Sequence, residues 1–334
     1  MAHETLAGPR WFPLRFDSDR DSYHFVFIPA EVHRDLAFLR DFKPAPSETR
    51  ILPRASVRNI FVQTAPLHLI LHSGLGGSTF LARALAQPGV AISLQEPPIL
   101  TDVIGYGLKR PPDEMNDLLR EVSQLLPRPF PPAKATICKL SGIGNGLARL
   151  LGELHPSSQL LCLQNPLEQL LAAFAQRGIS GRMRQLLLGI RNSRMMAFEM
   201  TDKQLLDHTD FQLAGLAWLS IQKMMVIAAQ ALGPERLRSI TSEDLARLPA
   251  DTLSAISSHF RLDLDVDRCI SSGLLDRHSK TGEPFDPQHR MERLAGALHV
   301  HGQEIEPVIS WARRVAETTG IPWDLPYPLL ERAA

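Results

Sequence analysis

The chain has 334 residues, and its 36 basic and 36 acidic side chains give a net charge of zero with neutral histidine. A composition that is 44% hydrophobic and 22% charged is typical of a folded globular protein and argues against intrinsic disorder. Zero net charge argues against a general nucleic-acid-binding protein, which needs a basic face. No apolar run reaches the roughly 18 residues of a membrane span. The first residues lack the basic and apolar regions of a secretory signal, so we expect neither feature.

The cysteines and histidines predict no metal site and no disulfide framework. Cys138, Cys162 and Cys269 have no CxxC spacing. The first two lie within apolar runs, which predicts buried thiols, and sparse reduced cysteines favour a cytoplasmic location. His299 and His301 have no Cys or Asp nearby at ligand spacing, so a helix or loop surface is the preferred interpretation.

The first 60 residues are predicted to form an N-terminal extension with short strands. Apolar residues alternate with others at Tyr23, Phe25 and Phe27, which favours a hairpin or edge strand in this region. The stretch 43–47, Lys-Pro-Ala-Pro-Ser, is typical of a linker.

Residues 61–300 are predicted to form one α/β domain, in which short apolar runs alternate with helical patterns. This alternation predicts a three-layer fold with a parallel sheet covered on both faces. A helical insertion or cap is expected at about 180–232, and a C-terminal helix at 305–319 within a tail that spans 301–334. The predicted strands cover residues 67–72, 90–94, 136–140, 159–163 and 237–240.

The most informative segment is a glycine loop between the first of these strands and the following helix. Residues 73–77 are Ser-Gly-Leu-Gly-Gly, and Ser78-Thr79 stand where the helix begins. Glycines allow close backbone approach and positive φ. Successive N–H groups at a helix start form a cradle for phosphate or sulfate. The alternative is that the glycines form only a tight strand–helix turn.

Two common nucleotide-binding motifs do not fit this loop. A Walker A loop needs Gly-Lys before Ser or Thr, whereas Gly76 and Gly77 precede Ser78 here. A dinucleotide fingerprint needs a third glycine where Thr79 stands. Ordinary ATP or GTP hydrolysis and dinucleotide binding are therefore both disfavoured.

Several segments in the same order resemble the bacterial sulfotransferase-like P-loop proteins. The loop and first helix, His72 to Leu85, are similar to the family's 5′-phosphosulfate-binding loop, and Glu96-Pro97 is similar to a Glu-Pro pair that follows it. The other matching pieces are Leu161 to Pro166, Leu237 to Pro249, His278-Ser-Lys280, Phe285-Asp286 and Arg290.

The resemblance implies transfer of a sulfuryl group from 3′-phosphoadenosine 5′-phosphosulfate (PAPS) to a hydroxyl or amine. The acceptor would be a small molecule or a glycan, and the family chemistry requires no metal. No motif indicates which acceptor is used or which oligomeric state is adopted. The loop residues that would hold the phosphosulfate are Ser73, Gly74, Gly76, Gly77, Ser78 and Thr79.

The sequence departs from the family pattern at three places. Leu75 and Gly76 stand where the family has a basic residue. Gln164 replaces an arginine and Ala172 replaces a serine. In the family, that arginine and that serine bind the 3′-phosphate. The alternatives are a non-catalytic nucleotide- or protein-binding descendant of the fold, or a P-loop kinase-like transferase, which the missing Walker lysine disfavours.

Two residues at strand ends are candidate catalytic groups. Lys139 closes the third predicted strand and would supply positive charge; alternatively it extends along a strand end into solvent. Glu96 is the candidate base, which would need a raised pKa. Its alternative is a turn carboxylate paired with an arginine. His72, within an apolar run, is interpreted as a core histidine.

Further cations could compensate for Gln164 at the 3′-phosphate. Arg177 and Arg182 flank two glycines after the fourth predicted strand's helix, and Lys280 with Arg290 forms a second candidate pair. In each case the alternative is ordinary surface charge. The remaining arginines of this acid-free stretch are Arg184, Arg191 and Arg194, of which the last two are preferred as surface residues.

Overall fold

An antiparallel sheet forms the start of the chain. The computed structural model describes residues 2–6, 8–58, 60, 63–177, 180–192, 194–273 and 286–330. Strand β2 (Ser22–Phe27) pairs with β1 (Trp11–Asp17) on one side and with β3 (Thr49–Pro53) on the other. The predicted hairpin is therefore present, and it belongs to a three-stranded sheet.

A second, five-stranded sheet is parallel throughout, which confirms the predicted fold class. Its order is β5-β6-β4-β7-β8. Each strand lies within about one residue of its predicted bounds, because a short apolar run marks every one of them. The strands are β4 (Leu67–His72), β5 (Ala91–Gln95), β6 (Ala135–Lys139), β7 (Leu160–Gln164) and β8 (Leu237–Thr241).

Helices connect and cover these strands. They are α1 (Ala2–Leu6), α2 (Ala30–Asp35), α3 (Arg54–Val57), α4 (Ser78–Leu85), α5 (Pro98–Gly107), α6 (Pro112–Leu125), α7 (Ala148–Leu154), α8 (Leu167–Arg177), α9 (Ser180–Asn192), α10 (Asp202–Leu206), α11 (Asp210–Leu232), α12 (Ser242–Arg247), α13 (Pro249–Phe260), α14 (Val266–Ser271) and α15 (Pro287–Thr319).

Two of the helical predictions need correction. Residues 194–201 are not helical, although helix was predicted throughout 180–232. The Thr201 hydroxyl caps a new helix there by accepting from the Gln204 N–H. The helix predicted at 305–319 begins at Pro287, because Leu294 and Ile305 both lie on a buried apolar face.

The parallel sheet separates two hydrophobic cores. Leu69 and Leu71 of β4 face one core, whereas Ile70 between them faces the other. This alternation, with both faces apolar, is expected of a parallel strand covered on each side by helices. The Cys138 and Cys162 side chains are fully buried, as predicted.

The strand order creates a crevice at the carboxyl edge of the sheet. After β4 the chain runs to β5 on one side, and after β6 it crosses to β7 on the other. Adjacent strands whose connections leave in opposite directions mark the place where α/β proteins bind ligands. The ends of β4 and β6 therefore position the candidate site.

Among the described residues, one helix is long and apolar enough to cross a membrane. It is α11, but 78% of its apolar window is buried inside the fold. The helix contacts α7, α9 and α15, so it serves as a core helix here. The cytoplasmic location remains a prediction.

The C-terminal tail covers the outer edge of β8. The Ser239 N–H donates to the Tyr327 carbonyl at 2.9 Å, and the Leu329 N–H donates to the Ser239 carbonyl at 2.8 Å. The Ser239 hydroxyl donates to the Pro326 carbonyl. β8 pairs with β7 on one side only. On its other side, residues 326–329 form hydrogen bonds with backbone groups of β8 that would otherwise be unpaired.

A buried ion pair joins the N-terminal extension to α6. Nε and one terminal nitrogen of Arg54 each lie 2.9 Å from a different oxygen of Glu121, and both side chains are about one-tenth exposed. The Tyr23 hydroxyl donates to the same carboxylate at 2.8 Å. Burial and the neighbouring Glu121 raise the pKa of Tyr23.

We predict that Arg54→Met destabilises the protein by about 3 kcal/mol, because it leaves the buried Glu121 with less compensation. Arg58, 3.1 Å from Glu121, keeps the loss near that value. Urea unfolding measures it. Arg149→Met is the control: Arg149 pairs with Glu153 at 2.7 Å, but both side chains are nearly half exposed, so the loss is expected below about 1 kcal/mol. Equal losses in the two variants would contradict this account.

Candidate functional site

The glycine loop leaves the carboxyl end of β4 with an unusual backbone. Gly74 and Gly77 have φ of +93°, and Leu75 between them has φ of +55°. Glycine adopts such angles freely, whereas leucine does so at a cost in strain. The loop therefore turns the chain sharply into α4, as predicted, and it lies at the ligand-binding edge of the sheet.

The glycines of this loop serve different purposes. A Cβ on Gly74 would have no atom within 4 Å, so that part of the loop presents bare backbone. A Cβ on Gly76 would lie 2.9 Å from Cβ of Asn165 and 3.3 Å from Cβ of Ser242. Gly76 is therefore required for packing, and Gly74 leaves room for an anion.

Asn165 fixes the base of the loop, a role that the sequence did not predict. Its backbone N–H donates to the Ser73 hydroxyl at 2.6 Å, and its side-chain Oδ1 accepts from the Ser242 hydroxyl at 2.8 Å. Its carbonyl accepts from Nε1 of Trp218 at 2.8 Å. The available signal was its place at the end of β7, next to the loop strand β4.

The start of α4 fits an anion. Ser78 and Thr79 are buried in the first turn, and Gly77 is the N-cap residue with φ of +93°. The first N–H groups of a helix lack partners within the helix and carry partial positive charge. Of the predicted loop residues, Ser73 and Gly76 anchor the loop, and the others surround this helix start.

Lys139 and Glu96 meet beside the same helix start. Nζ of Lys139 lies 2.7 Å from Oε1 of Glu96 and 3.4 Å from Oγ1 of Thr79. The Lys139 side chain is 1% exposed, so the interpretation that it extends into solvent is wrong. The structure thus brings Lys139 and Glu96 together beside the loop, a pairing that the sequence did not predict.

His72 is the third polar group of this cluster. Its Nε2 lies 3.7 Å from Oε1 of Glu96. Glu96 itself has φ of +52°, a strained angle for a residue with a side chain. Strain of this kind concentrates at functional sites, and here it directs the carboxylate between the ends of β4 and β6.

The charge state of Glu96 differs from the expectation. Burial raises its pKa, but the neighbouring His72 and the charge of Lys139 outweigh burial and lower it to about 2. The expected raised pKa is therefore wrong, and the carboxylate pairs with a lysine rather than with an arginine. Burial lowers the pKa of Lys139, although Glu96 favours its charged form.

The N-terminal extension contributes an aromatic ring to the cluster. The centroid of the Phe38 ring lies 4.9 Å from Nζ of Lys139, a cation–π contact. No motif marks Phe38 in the sequence, because the contact joins residues about a hundred positions apart. The extension thus forms part of the candidate site.

Two positions assigned to the 3′-phosphate of PAPS do not fit that group. The Gln164 Nε2 donates to the Trp323 carbonyl at 2.8 Å and is not a cation. Ala172 is fully buried in an apolar cluster with Ala173 and Leu294, and Leu75 packs against this cluster. Neither position offers a charged donor for that group.

The other predicted phosphate ligands fall mainly outside the described residues. This applies to the side chains of Arg177, Arg182 and Arg290 and to the whole of Lys280. Arg191 donates to Asp202, an exposed carboxylate. That contact agrees with the interpretation of Arg191 as a surface residue.

We predict that Gly76→Ala destabilises the protein by about 1–3 kcal/mol, because the new methyl group overlaps Asn165 at the base of the loop. Chemical denaturation measures the change. The control is Gly105→Ala in α5, where a Cβ meets no atom within 4 Å. That variant should gain about 1 kcal/mol from helix propensity. A Gly76→Ala variant as stable as the wild type would refute the packing role.

We predict that Glu96 makes stability depend on pH. Its pKa falls from 4.5 to about 2 on folding, so its contribution is complete above pH 5 and disappears as the pH falls through about 2. Between pH 7 and pH 3 this group should cost about 2 kcal/mol of unfolding free energy. Urea titrations at both values should show a smaller loss for Glu96→Gln. An unchanged pH dependence in the variant would contradict the pairing.

Comparisons with known proteins identify similar structures but no sequence relative. No protein-family profile matches the chain, and no curated protein sequence matches it. A sulfotransferase domain from the curacin biosynthetic pathway matches 79% of this chain and 100% of its own, at 15% identity and a TM-score of 0.43.

Two further matches are similar in extent. A sulfotransferase from Alicyclobacillus acidocaldarius matches 78% of this chain and 99% of its own, at 13% identity and a TM-score of 0.40. The sulfotransferase domain of the Synechococcus PCC 7002 olefin synthase matches 79% of this chain and 98% of its own, at 14% identity and a TM-score of 0.38. At these values the likeness concerns the fold alone.

Proposed function

We propose that the protein is a sulfotransferase that moves a sulfuryl group from a nucleotide 5′-phosphosulfate to a hydroxyl or amine of a small molecule or glycan. The observation that carries the proposal is the position of Lys139. Its buried ammonium lies 3.4 Å from Thr79 in the first turn of α4, at the crevice where the ends of β4 and β6 meet.

In this proposal the loop binds the donor through its backbone. The N–H groups from Gly74 to Thr79 would hold the phosphate oxygens, with help from the positive end of α4. The open space at Gly74 allows a ligand to approach the backbone closely. These contacts would place the reacting sulfur next to Lys139.

Lys139 would stabilise the charge that develops on the leaving phosphate. A fixed cation in a site that excludes water is effective for this purpose, because it needs no reorganisation during the reaction. Glu96, 2.7 Å away, and the Phe38 ring would hold the ammonium in place.

The proposed role of Glu96 follows from its charge state. A carboxylate with a pKa of about 2 is always ionised near neutral pH and is a weak proton acceptor. The contacts of Glu96 therefore support a role in positioning Lys139 better than they support the role of general base. His72, 3.7 Å from the same oxygen, is a second group through which a proton could be moved.

A non-catalytic nucleotide-binding protein is the second candidate. The observation in its favour is the apolar contact of Leu75 with the cluster of Ala172 and Leu294, in place of a basic residue beside the donor. Binding of the donor without any transfer of its sulfuryl group would favour this alternative.

We predict that adenosine 5′-phosphosulfate and PAPS each raise the thermal unfolding temperature, because they bind the folded loop. A ligand at 100 times its Kd stabilises by about 2.7 kcal/mol. Lys139→Met should abolish the shift, whereas Lys134→Met on the exposed surface should keep it. Differential scanning fluorimetry provides the measurement.

The same assay separates the alternatives. Stabilisation by ATP with magnesium, but not by the phosphosulfates, would point to a kinase-like transferase. Wild-type protein that responds to none of these nucleotides would exclude the proposed donor site. PAPS differs from adenosine 5′-phosphosulfate by its 3′-phosphate. Because Gln164 and Ala172 offer no charged donor to that group, we expect the two ligands to raise the unfolding temperature equally.

A further inference from the structure

The charges at the loop nearly cancel, although the proposed ligand is an anion. Lys139 is the buried cation next to α4, and its ammonium is paired with Glu96 at 2.7 Å. The two unit charges offset each other for any ligand more than a few ångströms away. An additional positive charge at this edge would therefore favour anion binding.

The loop does not supply that charge from its own residues. Leu75 carries no charge and packs on the apolar cluster of Ala172 and Leu294. Any cation near Lys139 must then come from another part of the chain.

The segment 36–42 of the N-terminal extension lies over this edge. Leu39 is 1% exposed and belongs to the main hydrophobic core. The Arg83 guanidinium at the end of α4 donates to the Asp35 carbonyl just before the segment. These contacts fix the position of Phe38, whose ring meets Lys139.

Arg40 brings an exposed guanidinium to the same ring. Its Cζ lies 4.6 Å from the Phe38 centroid and Lys139 Nζ lies 4.9 Å from it, so the two cations are less than about 10 Å apart. The Arg40 side chain is 53% exposed, and its ion pair with the adjacent Asp41 is long, at 3.8 Å. It can therefore turn toward a ligand at a small desolvation cost.

The electrostatics agree with this placement. Burial lowers the pKa of Lys139, and the positive charge of Arg40 lowers it further, whereas Glu96 acts in the opposite direction. Among the described residues, the charged side chains that act on Lys139 are Glu96, which follows β5, and Arg40 from the extension.

We propose that Arg40, carried by the N-terminal extension, is the cation that binds the phosphosulfate oxygens in place of the basic residue that the glycine loop lacks. This inference rests on the proposed function. A guanidinium can donate two parallel hydrogen bonds to a phosphate or sulfate, which suits it to this task. The extension is then a functional part of the donor site as well as a cover for it.

Calorimetric titration with adenosine 5′-phosphosulfate tests the proposal on the full chain. Arg40→Ala should raise the Kd about tenfold, the value of one charge-assisted hydrogen bond. Arg40→Lys should recover part of the affinity, because it keeps the charge without the planar fork. Each variant should unfold at the wild-type denaturant concentration, because the side chain is exposed.

Arg20→Ala is the matched control, because Arg20 is also exposed, at 75%, and lies 3.9 Å from its neighbour Asp17. It should bind within about twofold of the wild type, a difference below about 0.5 kcal/mol. Equal weakening in both alanine variants, or wild-type affinity in Arg40→Ala, would overturn the proposal while leaving the proposed function intact. Wild-type protein without measurable affinity would reject the two together.

Discussion

The buried pair of Lys139 and Glu96 is the constraint on which the candidate site depends. A lysine that is 1% exposed is costly unless a partner compensates its charge, and Glu96 provides that compensation at 2.7 Å. The pair lies between the ends of two adjacent strands and the first turn of α4. Any change in strand register or loop path would separate the charges, so the local fold and the electrostatics require each other.

The second support is the packing beneath the glycine loop. Asn165 satisfies its backbone and side-chain oxygen through three different elements, the loop, α11 and α12. The absence of a side chain on Gly76 lets the loop approach this residue closely. A rigid base of this kind holds backbone N–H groups in a fixed direction, which is what binding of an anion by the main chain needs.

Local patterns predicted the fold well and the site only in part. Apolar runs such as Leu67–His72 mark buried strands directly, so the sheet and the loop followed from the sequence. The pairing of Glu96 with Lys139 depends on β5 lying beside β6. The hydrophobic periodicity of the sequence predicts strands but not their order in the sheet. The contact of Phe38 with Lys139 also joins distant segments, so no local motif could reveal it.

The early start of α15 and the reversed pKa shift of Glu96 have a similar origin. The buried face of α15 is defined by α8 and α11, which lie far away in the sequence. The pKa of Glu96 is lowered by His72 and Lys139, and the local sequence around Glu96 does not show that these residues are its neighbours. In both cases tertiary neighbours decide the property, and propensity alone does not.

The tail at Pro326 to Leu329 has a consequence for the sheet as a whole. By accepting from and donating to Ser239, it occupies backbone groups on the outer side of β8. An exposed edge strand is a template for pairing with another molecule and a common route to aggregation. Residues 326–329 therefore prevent β8 from pairing with a strand of another molecule.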